Sequence, residues 1–144
     1  MTIRKAKLQD APRLAELSTV LGYPVDVHLL RARLETILPK QDHIVLVGES
    51  PADSVVGWIH AADQEILEAG RFCEILGLVV AANQRRVGLG RRLVSEVERW
   101  ATQRGITQIS VRSNIIRPES HEFYQRSGFV RVKTQHVYRK DLTL

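Results

Sequence analysis

A short turn between a predicted strand and a predicted helix holds the residues with the clearest chemical potential. It reads Gln84-Arg85-Arg86-Val87-Gly88-Leu89-Gly90 and follows an apolar run that ends at Val80. The first amides of a helix have no partners within the helix, and the helix dipole adds partial positive charge at that end. Two glycines allow a close approach to the backbone. Four arginines add fixed charge: Arg85, Arg86, Arg91 and Arg92. These features predict a site for a pyrophosphate group.

Two other phosphate-binding motifs do not fit this turn. A nucleotide P-loop places Lys and then Ser or Thr after its last glycine, whereas two arginines follow Gly90 here. A dinucleotide-binding fingerprint needs a third glycine where this chain has Leu93, and no strand ending in Asp or Glu follows at the expected distance. An ordinary strand-to-helix turn with solvated arginines remains the structural alternative.

The composition excludes several other kinds of protein. The chain has 144 residues, which suits one domain, and it contains no apolar run of the length that spans a membrane. The N-terminus lacks the apolar run of a secretory signal. Cys73 is the single cysteine, and the five histidines show no paired metal-ligand spacing. We therefore expect no disulfide framework, no metal, no membrane association and a cytoplasmic location.

The positive charge of the chain is unevenly distributed. The net charge is +5, and five of the arginines fall within residues 85–99. A phosphate-rich cofactor explains this cluster more simply than a general nucleic-acid surface. The aromatic residues are dispersed and form no stacking platform for RNA. We therefore expect no nucleic-acid partner.

Hydrophobic periodicity and turn residues predict the order β-α-α-β-β-β-α-β-α-β-β within a single domain of residues 1–144. The predicted strands are 2–7, 44–48, 55–61, 72–80, 106–112, 129–133 and 135–140. The predicted helices are 11–21, 27–38, 88–104 and 118–127. The strand–helix–strand unit over 72–112 favours a parallel pair, and the other neighbouring strands favour antiparallel pairing. The fold class is α/β, with a mixed, mostly antiparallel sheet flanked by about four helices, and Gly77 is a candidate bulge.

Two motifs in this order resemble landmarks of the GNAT superfamily of N-acyltransferases. The turn over residues 84–90 is similar to the family signature Gln/Arg-x-x-Gly-x-Gly/Ala, with no departure. Further along, Asn114, Phe123-Tyr124 and Gly128-Phe129 resemble an Asn, an aromatic pair and a Gly-aromatic pair at the family's spacing. Ser120-His121 departs from the Ala that many relatives carry three residues before the aromatic pair. The chain is identified as a member of this superfamily over nearly its whole length.

The resemblance implies that acetyl-CoA is the co-substrate. In the family, main-chain groups at the end of the fourth strand hold the pantetheine arm, and the glycine-rich turn holds the pyrophosphate. The implied cofactor-binding residues are Leu78, Val79, Val80, Arg85, Arg86, Val87, Gly88, Leu89, Gly90, Arg91, Asn114 and Tyr124. The fourth and fifth strands of the family splay apart to admit the arm. The amide of Val79 is the expected oxyanion donor.

Tyr124 and Glu74 are the predicted catalytic residues. A tyrosine hydroxyl has an ordinary pKa of about 10, near that of an alkyl thiol, so Tyr124 suits protonation of the leaving thiolate; its alternative is a core aromatic. Glu74 is a charged residue within an otherwise apolar predicted strand, which indicates that its side of the strand faces a cleft. There it could remove the proton from the amine, directly or through a water molecule. His60 is a weaker candidate for the base. Strand alternation places Cys73 on the opposite face from Glu74, which favours direct transfer over an acyl-enzyme.

The predicted activity is direct transfer of an acetyl group from acetyl-CoA to a primary amine of a small molecule. An aminoglycoside or another polyamine is a more specific alternative. It would require an acidic pocket formed by residues that could equally be solvated: Asp26, Asp63, Glu65, Glu68 and Glu74. Acetylation of a protein and non-catalytic binding of an acyl-CoA are further alternatives. The oligomeric state is open, and a homodimer is compatible with the sequence.

Overall fold

The computed structural model describes residues 1–20, 22–52, 54–113 and 118–143, with the backbone alone for Arg86 and Pro118. The chain forms two compact units, Met1–Arg112 and Ser113–Leu144, and each is described by itself. In the part of the chain given by these ranges, no helix is long and apolar enough to cross a membrane.

The first unit contains five strands and three α-helices among its described residues. They are β1 (Thr2–Lys5), α1 (Ala11–Val20), α2 (Val27–Ile37), β2 (His43–Glu49), β3 (Val55–Ile66), β4 (Gly70–Val80), α3 (Leu89–Gln103) and β5 (Ile109–Val111). Short 3-10 segments precede α1 and α3, at Leu8–Asp10 and Ala82–Val87. The second unit contains α4 (Pro118–Arg126).

The strands form one sheet in the order β1-β2-β3-β4-β5. The first three pairings are antiparallel, and β4 pairs with β5 in parallel across α3. This confirms the predicted α/β class with its mixed, mostly antiparallel sheet. A parallel pair needs a crossover connection, and α3 supplies it.

Apolar side chains cover both faces of the sheet. On one face, α1 and α2 contribute Leu14, Leu17 and Leu34 to a buried cluster that includes Val47 and Val79. On the other face lies α3, whose apolar stripe is fully buried. Its members Leu89, Leu93, Val94 and Val97 are each at most 1% exposed. The stripe recurs at the helical spacing of three or four residues, as an amphipathic helix on a sheet requires.

The β3–β4 hairpin is longer than the sequence predicted. The predicted strands end at residue 61 and resume at residue 72, but β3 continues to Ile66 and β4 begins at Gly70. The polar side chains pair across the two strands. Arg71 donates to both oxygens of Asp63 at 2.9 and 2.7 Å, and Gln64 donates to Glu74 at 3.3 Å. Cross-strand pairing of this kind stabilises strands that lack an alternating apolar pattern.

The two closing strands of the predicted order do not form. After α4, no strand occurs in the described residues 129–143. Val130, Val132 and Tyr138 are 82%, 86% and 91% exposed. A strand becomes stable when its apolar side chains are buried by a neighbour, because that burial offsets the entropy lost on ordering the chain. Within one chain, these side chains lack such a neighbour among the described residues.

Candidate active site

Strand β4 contains a bulge next to the predicted glycine. His60 is the partner of Gly77 and Ala61 is the partner of Ile75, so Leu76 is the extra residue on β4. Gly77 also allows a close contact, because a Cβ atom there would lie 2.9 Å from the ring of Trp58. The bulge predicted at Gly77 is therefore confirmed, and the Trp58 ring lies directly against it.

Beyond the bulge, the outer edge of β4 is uncovered. Strand β5 pairs with β4 over only three residues, Cys73, Glu74 and Ile75. From Gly77 to Val80, no strand within the described ranges pairs with that edge. The two parallel neighbours therefore separate where the resemblance implied an opening for the pantetheine arm. An edge of this kind presents backbone donors and acceptors to an extended, amide-containing ligand.

The bulge determines which backbone groups face the uncovered edge. Ala81 donates its amide to the carbonyl of Val56 on β3 at 2.9 Å. Because successive residues of a strand direct their backbone groups to opposite sides, the Val79 amide also faces β3. The amides and carbonyls of Leu78 and Val80 face the uncovered edge.

The uncovered edge leads into the glycine-rich turn. After the 3-10 segment Ala82–Val87, Gly88 adopts a positive φ of 79° and α3 begins at Leu89. Arg92 donates its amide to the carbonyl of Gly88 at 3.1 Å, which is the first bond of the helical pattern. The amides of Leu89 and Gly90 precede that bond, so they have no hydrogen-bond acceptor within α3 itself and stand at its N-terminus. The predicted helix N-terminus is present at the predicted turn.

The four arginines of the turn differ in their surroundings. Arg85 and Arg91 are exposed. The guanidinium of Arg92 reaches the carbonyl of Met1, with nitrogen–oxygen distances of 3.4 and 3.5 Å. The side chain of Arg86 lies outside the described part of the structure. Arg85, Arg91 and Arg92 thus add positive charge beside the first turn of α3.

Two glycines outside the predicted site, Gly48 and Gly57, lie against the first residue of α3. Gly48 and Gly57 are cross-strand partners on β2 and β3. A Cβ at Gly48 would lie 2.6 Å from Leu89 Cδ1, and a Cβ at Gly57 would lie 2.9 Å from Leu89 Cδ2. The side chain of Leu89, the first residue of α3, therefore packs directly against the backbone of these two glycines. The available signal was a glycine inside each of two apolar strands, which often marks close packing.

Glu74 lies on β4 just before the bulge, with its side chain 13% exposed. One carboxylate oxygen accepts a hydrogen bond from Gln64 at 3.3 Å. The other lies 3.4 Å from Nε of Arg112. The register places Glu74 opposite Ala62 and Gly77 opposite His60, so Glu74 and His60 share the sheet face covered by α1 and α2. The predicted base is thus held by two partners and lies near the uncovered edge.

His60 forms a pair with His43 on the neighbouring strand. His43 Nδ1 and His60 Nε2 are 2.9 Å apart, and the stacked rings have centroids 5.2 Å apart. Burial, followed by the charge of His43, lowers the pKa of His60 to about 4. His60 is therefore neutral near pH 7 and has one ring nitrogen engaged. Among the described residues, no group of three His, Cys, Asp or Glu side chains could hold a metal ion.

Cys73 lies on the opposite face of β4 from Glu74, as strand alternation predicted. It is completely buried. Burial, with smaller contributions from the charges of Asp63 and Glu74, raises the pKa of its thiol to about 11. A buried, protonated thiol is a poor nucleophile.

Three of the five carboxylates considered for an acidic pocket, Asp26, Asp63 and Glu74, have other partners. Asp26 accepts hydrogen bonds from the amides of His28 and Leu29 and so caps α2. Asp63 binds both Arg71 and Arg104, and these partners lower its pKa to about 2 despite its burial. Glu65 and Glu68 are exposed. The proposed acidic pocket is therefore not assembled, and Glu74 is its one member that lies near the uncovered edge.

The second unit contains the predicted aromatic motif. Tyr124 lies on α4, half-buried, with its ring edge-on to Phe123 and Phe129 at centroid distances of 5.1 and 5.5 Å. Gly128, at a φ of 92°, ends the helix and turns Phe129 back onto Tyr124. Asn114 lies outside the described residues. The catalytic role of Tyr124 stays a prediction.

Comparisons with known proteins agree with this architecture. The chain is 32% identical to glucosamine 6-phosphate N-acetyltransferase 1 of Oryza sativa subsp. japonica, over 92% of this chain and 83% of that protein. It is 25% identical to aminoglycoside N(6')-acetyltransferase type 1 of Serratia marcescens, over 78% of this chain and 80% of that protein. The crystal structure of the aminoglycoside 6'-N-acetyltransferase AAC(6')-Ih from Acinetobacter baumannii has the same fold. Its TM-score is 0.86 at 18% identity, and the match covers 99% of each chain. The family model described as the acetyltransferase (GNAT) family matches residues 11–129, and the chain belongs to this family of N-acetyltransferases.

Proposed function

We propose that this protein transfers the acetyl group of acetyl-CoA directly to a primary amine of a small amino sugar. The observation that carries the proposal is the uncovered edge of β4 and its continuation into the turn before α3. The edge offers backbone hydrogen bonds to an extended arm, and the helix N-terminus offers amides to a pyrophosphate. Acetyl-CoA has these two parts in sequence. This arrangement follows from contacts within the first unit alone.

The proposed reaction is an attack of the neutral amine nitrogen on the thioester carbonyl. A carbon–nitrogen bond forms, the carbon–sulfur bond breaks, and the product is an amide with free CoA. Glu74 takes the proton that the amine loses, directly or through one water. We assign stabilisation of the developing oxyanion to the outward amides of Leu78 and Val80; one such donor is worth about 2.7–4 kcal/mol. Tyr124 supplies the proton to the departing thiolate.

The properties of two other side chains support this assignment of roles. His60 has a pKa of about 4, which makes it a weak base near neutral pH. Cys73 is completely buried, and its thiol has a pKa of about 11, so an acyl-cysteine intermediate is unfavourable. Both observations favour Glu74 and direct transfer.

The choice of an amino sugar rests on the relatives and on the charges near the site. The acceptors named for the two curated relatives, glucosamine 6-phosphate and aminoglycosides, both carry amines on sugar rings. Asp26 and Asp63, which a highly cationic acceptor would need, are bound elsewhere. A single carboxylate at Glu74 suits one amine better than a polyamine.

We also propose that the whole chain acts as one catalytic domain in the cytoplasm. The family match over residues 11–129 includes parts of both compact units. A single buried thiol at Cys73 suits a reducing compartment.

The test combines ligand binding with turnover. Binding of CoA should raise the melting temperature, because a ligand at about 100 times its Kd adds about 2.7 kcal/mol of stability. CoA release is then measured with glucosamine, glucosamine 6-phosphate, an aminoglycoside, a polyamine and a peptide N-terminus. We expect the amino sugars to be the best acceptors. CoA binding without release for any amine would refute the enzymatic proposal.

Two matched glycine variants test the turn itself. Gly88 and Gly70 have φ angles of 79° and 77°, and a Cβ at either position would have nothing within 4 Å. Gly88→Ala and Gly70→Ala therefore impose similar backbone strain, about 1–2 kcal/mol. Gly88→Ala should weaken CoA binding at least tenfold, whereas Gly70→Ala, in the β3–β4 turn, should not. Equal affinities for the two variants would place the cofactor elsewhere.

A further inference from the structure

A cleft lies in the first unit at the point where the chain leaves β1. The amide of Ala6 still donates to the carbonyl of Val45 on β2, at 2.9 Å. Beyond that bond, no strand within the described ranges pairs with His43 or Ile44 on this side of β2. Residues from the ends of α2 and α3 complete the walls, and the cleft has a volume of about 490 Å³. That volume is within the usual range for ligand pockets.

The walls of the cleft combine an apolar lining with positive charge. The apolar side chains include Ile37, Leu38, Pro39, Ile44 and Trp100. The cations are Lys5, Lys40 and Arg104. No Asp or Glu is among the lining residues. An apolar wall with cations beside it suits a molecule that has an apolar body and one negative charge, because the body loses contact with water and the charge finds a partner.

The cation at the end of α3, Arg104, is already held in position. Its guanidinium donates two hydrogen bonds to Asp63, from Nε at 3.1 Å and from Nη2 at 2.9 Å. Its central carbon lies 4.9 Å from the centroid of the Trp100 ring, in a cation–π contact. Nη1 has no hydrogen-bond partner among the described residues. Because the side chain is ordered before an anion arrives, little conformational entropy is lost on binding.

The positive charge at the cleft exceeds the negative charge of its partners. Asp63 binds Arg71 as well as Arg104, so one carboxylate is shared by two guanidinium groups. Lys5 and Lys40 are exposed, and neither forms an ion pair within the described part of the chain. An anion in the cleft would therefore meet cations that are not neutralised.

We propose that this cleft is a second ligand site, which binds a small carboxylate carried on an apolar body. The body packs against the apolar wall, and the carboxylate is bound by Arg104 and the two lysines. The site is separate from the proposed active site. Trp100 follows Leu89, the first residue of α3, by eleven positions, which is about 16 Å along a helix. The proposal uses none of the residues assigned to acetyl-CoA or to the amine.

The first experiment is calorimetric titration of the full chain with 2-naphthoate and with 2-naphthamide. The two probes share an apolar ring system, but only the carboxylate is charged near pH 7. We expect saturable binding of naphthoate with a Kd below about 1 mM, and binding of the amide that is at least tenfold weaker. Absence of naphthoate binding, or equal affinity for the two probes, would overturn the proposal.

Two double variants that remove the same charge test the position of the carboxylate. Lys5→Ala combined with Lys40→Ala removes the two lysines that line the cleft. Lys7→Ala combined with Arg33→Ala removes two exposed cations that do not line it. The first pair should raise the Kd for naphthoate at least tenfold, whereas the second should change it little. Equal effects would show that affinity follows the net charge of the protein, contrary to the proposal.

A spectroscopic experiment separates the cleft from the candidate active site. The chain has two tryptophans, so isotope-labelled protein gives two indole N–H signals in nuclear magnetic resonance spectra, and Trp58→Phe assigns them. Trp100 lines the cleft, and Trp58 lies against Gly77 at the bulge. Naphthoate should shift the Trp100 signal equally with and without CoA. A shift of the Trp58 signal alone, or displacement of naphthoate by CoA, would place the ligand in the candidate active site and overturn the proposal.

Discussion

Because Leu89 packs against the backbone of Gly48 and Gly57, we expect Gly48→Ala to displace the first turn of α3. The new Cβ would lie 2.6 Å from Leu89 Cδ1, 3.0 Å from Cδ2 and 3.3 Å from Cγ. Carbon atoms in contact are ordinarily about 3.5–4.0 Å apart, so the two groups must separate by about 1 Å. Leu93 and Val97 are completely buried further along α3. Because those side chains anchor the rest of the helix, we expect the displacement to fall on its first turn.

The effect on the cofactor follows from this displacement. A hydrogen bond of about 2.9 Å that lengthens by about 1 Å is no longer a hydrogen bond. A bond to a charged group is worth about 1.5–3 kcal/mol, so loss of one turn amide weakens CoA binding by about tenfold to a hundredfold. The same overpacking should lower the free energy of unfolding by about 1–3 kcal/mol.

The assay is calorimetric titration with CoA, together with denaturant unfolding of each variant. Leu89→Ala removes the clashing Cδ atoms, so Gly48→Ala should cost much less in the Leu89→Ala background than alone. Leu93→Ala is the control, because it creates a cavity one turn further along. It should lower stability by about 2–5 kcal/mol without changing the affinity for CoA.

Two results would refute this reasoning. If Gly48→Ala folds with reduced stability yet binds CoA like the wild type, Leu89 does not determine the position of the turn. If Leu93→Ala weakens CoA binding as much as Gly48→Ala does, the affinity follows overall stability and not the position of the first residue of α3.

Three further predictions concern protons. Tyr124→Phe should lower kcat by about 10²–10⁴-fold and leave the CoA Kd nearly unchanged; an unchanged rate in a chemistry-limited assay would exclude the role of the hydroxyl. Glu74→Gln should slow transfer and flatten the rise of rate with pH, and an unaltered profile would point to solvent as the proton acceptor. The pKa of His60 is about 4 when folded and about 6.5 when unfolded. The unfolded state therefore takes up the proton first, and stability should fall as pH drops from about 6.5 towards 4, by up to about 3 kcal/mol. His60→Gln should remove most of that slope in acid-unfolding curves, whereas a persistent slope would assign it to other groups.

The sequence predicted the elements whose signals are local. The bounds of α2 and α3 and the glycine turn before Leu89 all depend on residues within a few positions of one another. Their predicted positions agree with the structure to within one or two residues. The long β3–β4 hairpin was missed because its support is not local. Asp63 is held by Arg71 from the next strand and by Arg104 from the end of α3, and neither pairing is visible in a polar run.

The closing strands show a different limit of prediction. The alternation in residues 130–139 is typical of a strand, but a strand needs a neighbouring edge as well as a pattern, and none is present among the described residues. Prediction of the candidate site also depends on contacts between residues that are distant in the sequence. The sequence identified Gly88 and Gly90, which form the turn, but not Gly48 and Gly57, because these glycines act through a contact with Leu89 that only the folded sheet creates.

The bulge at Leu76 explains why the amide of Val79, the oxyanion donor expected from the sequence, does not face the uncovered edge. Cys73 donates its amide to the carbonyl of Gln108, next to β5, at 2.9 Å. In a regular strand the amides of Ile75, Gly77 and Val79 would face the same way, and Val79 would be the outward donor. One extra residue reverses that alternation, so the amides of Leu78 and Val80 face the uncovered edge instead. The Trp58 ring, 2.9 Å from where a Cβ of residue 77 would lie, requires glycine beside the bulge. The same local feature therefore opens the strand edge and selects the amides presented there.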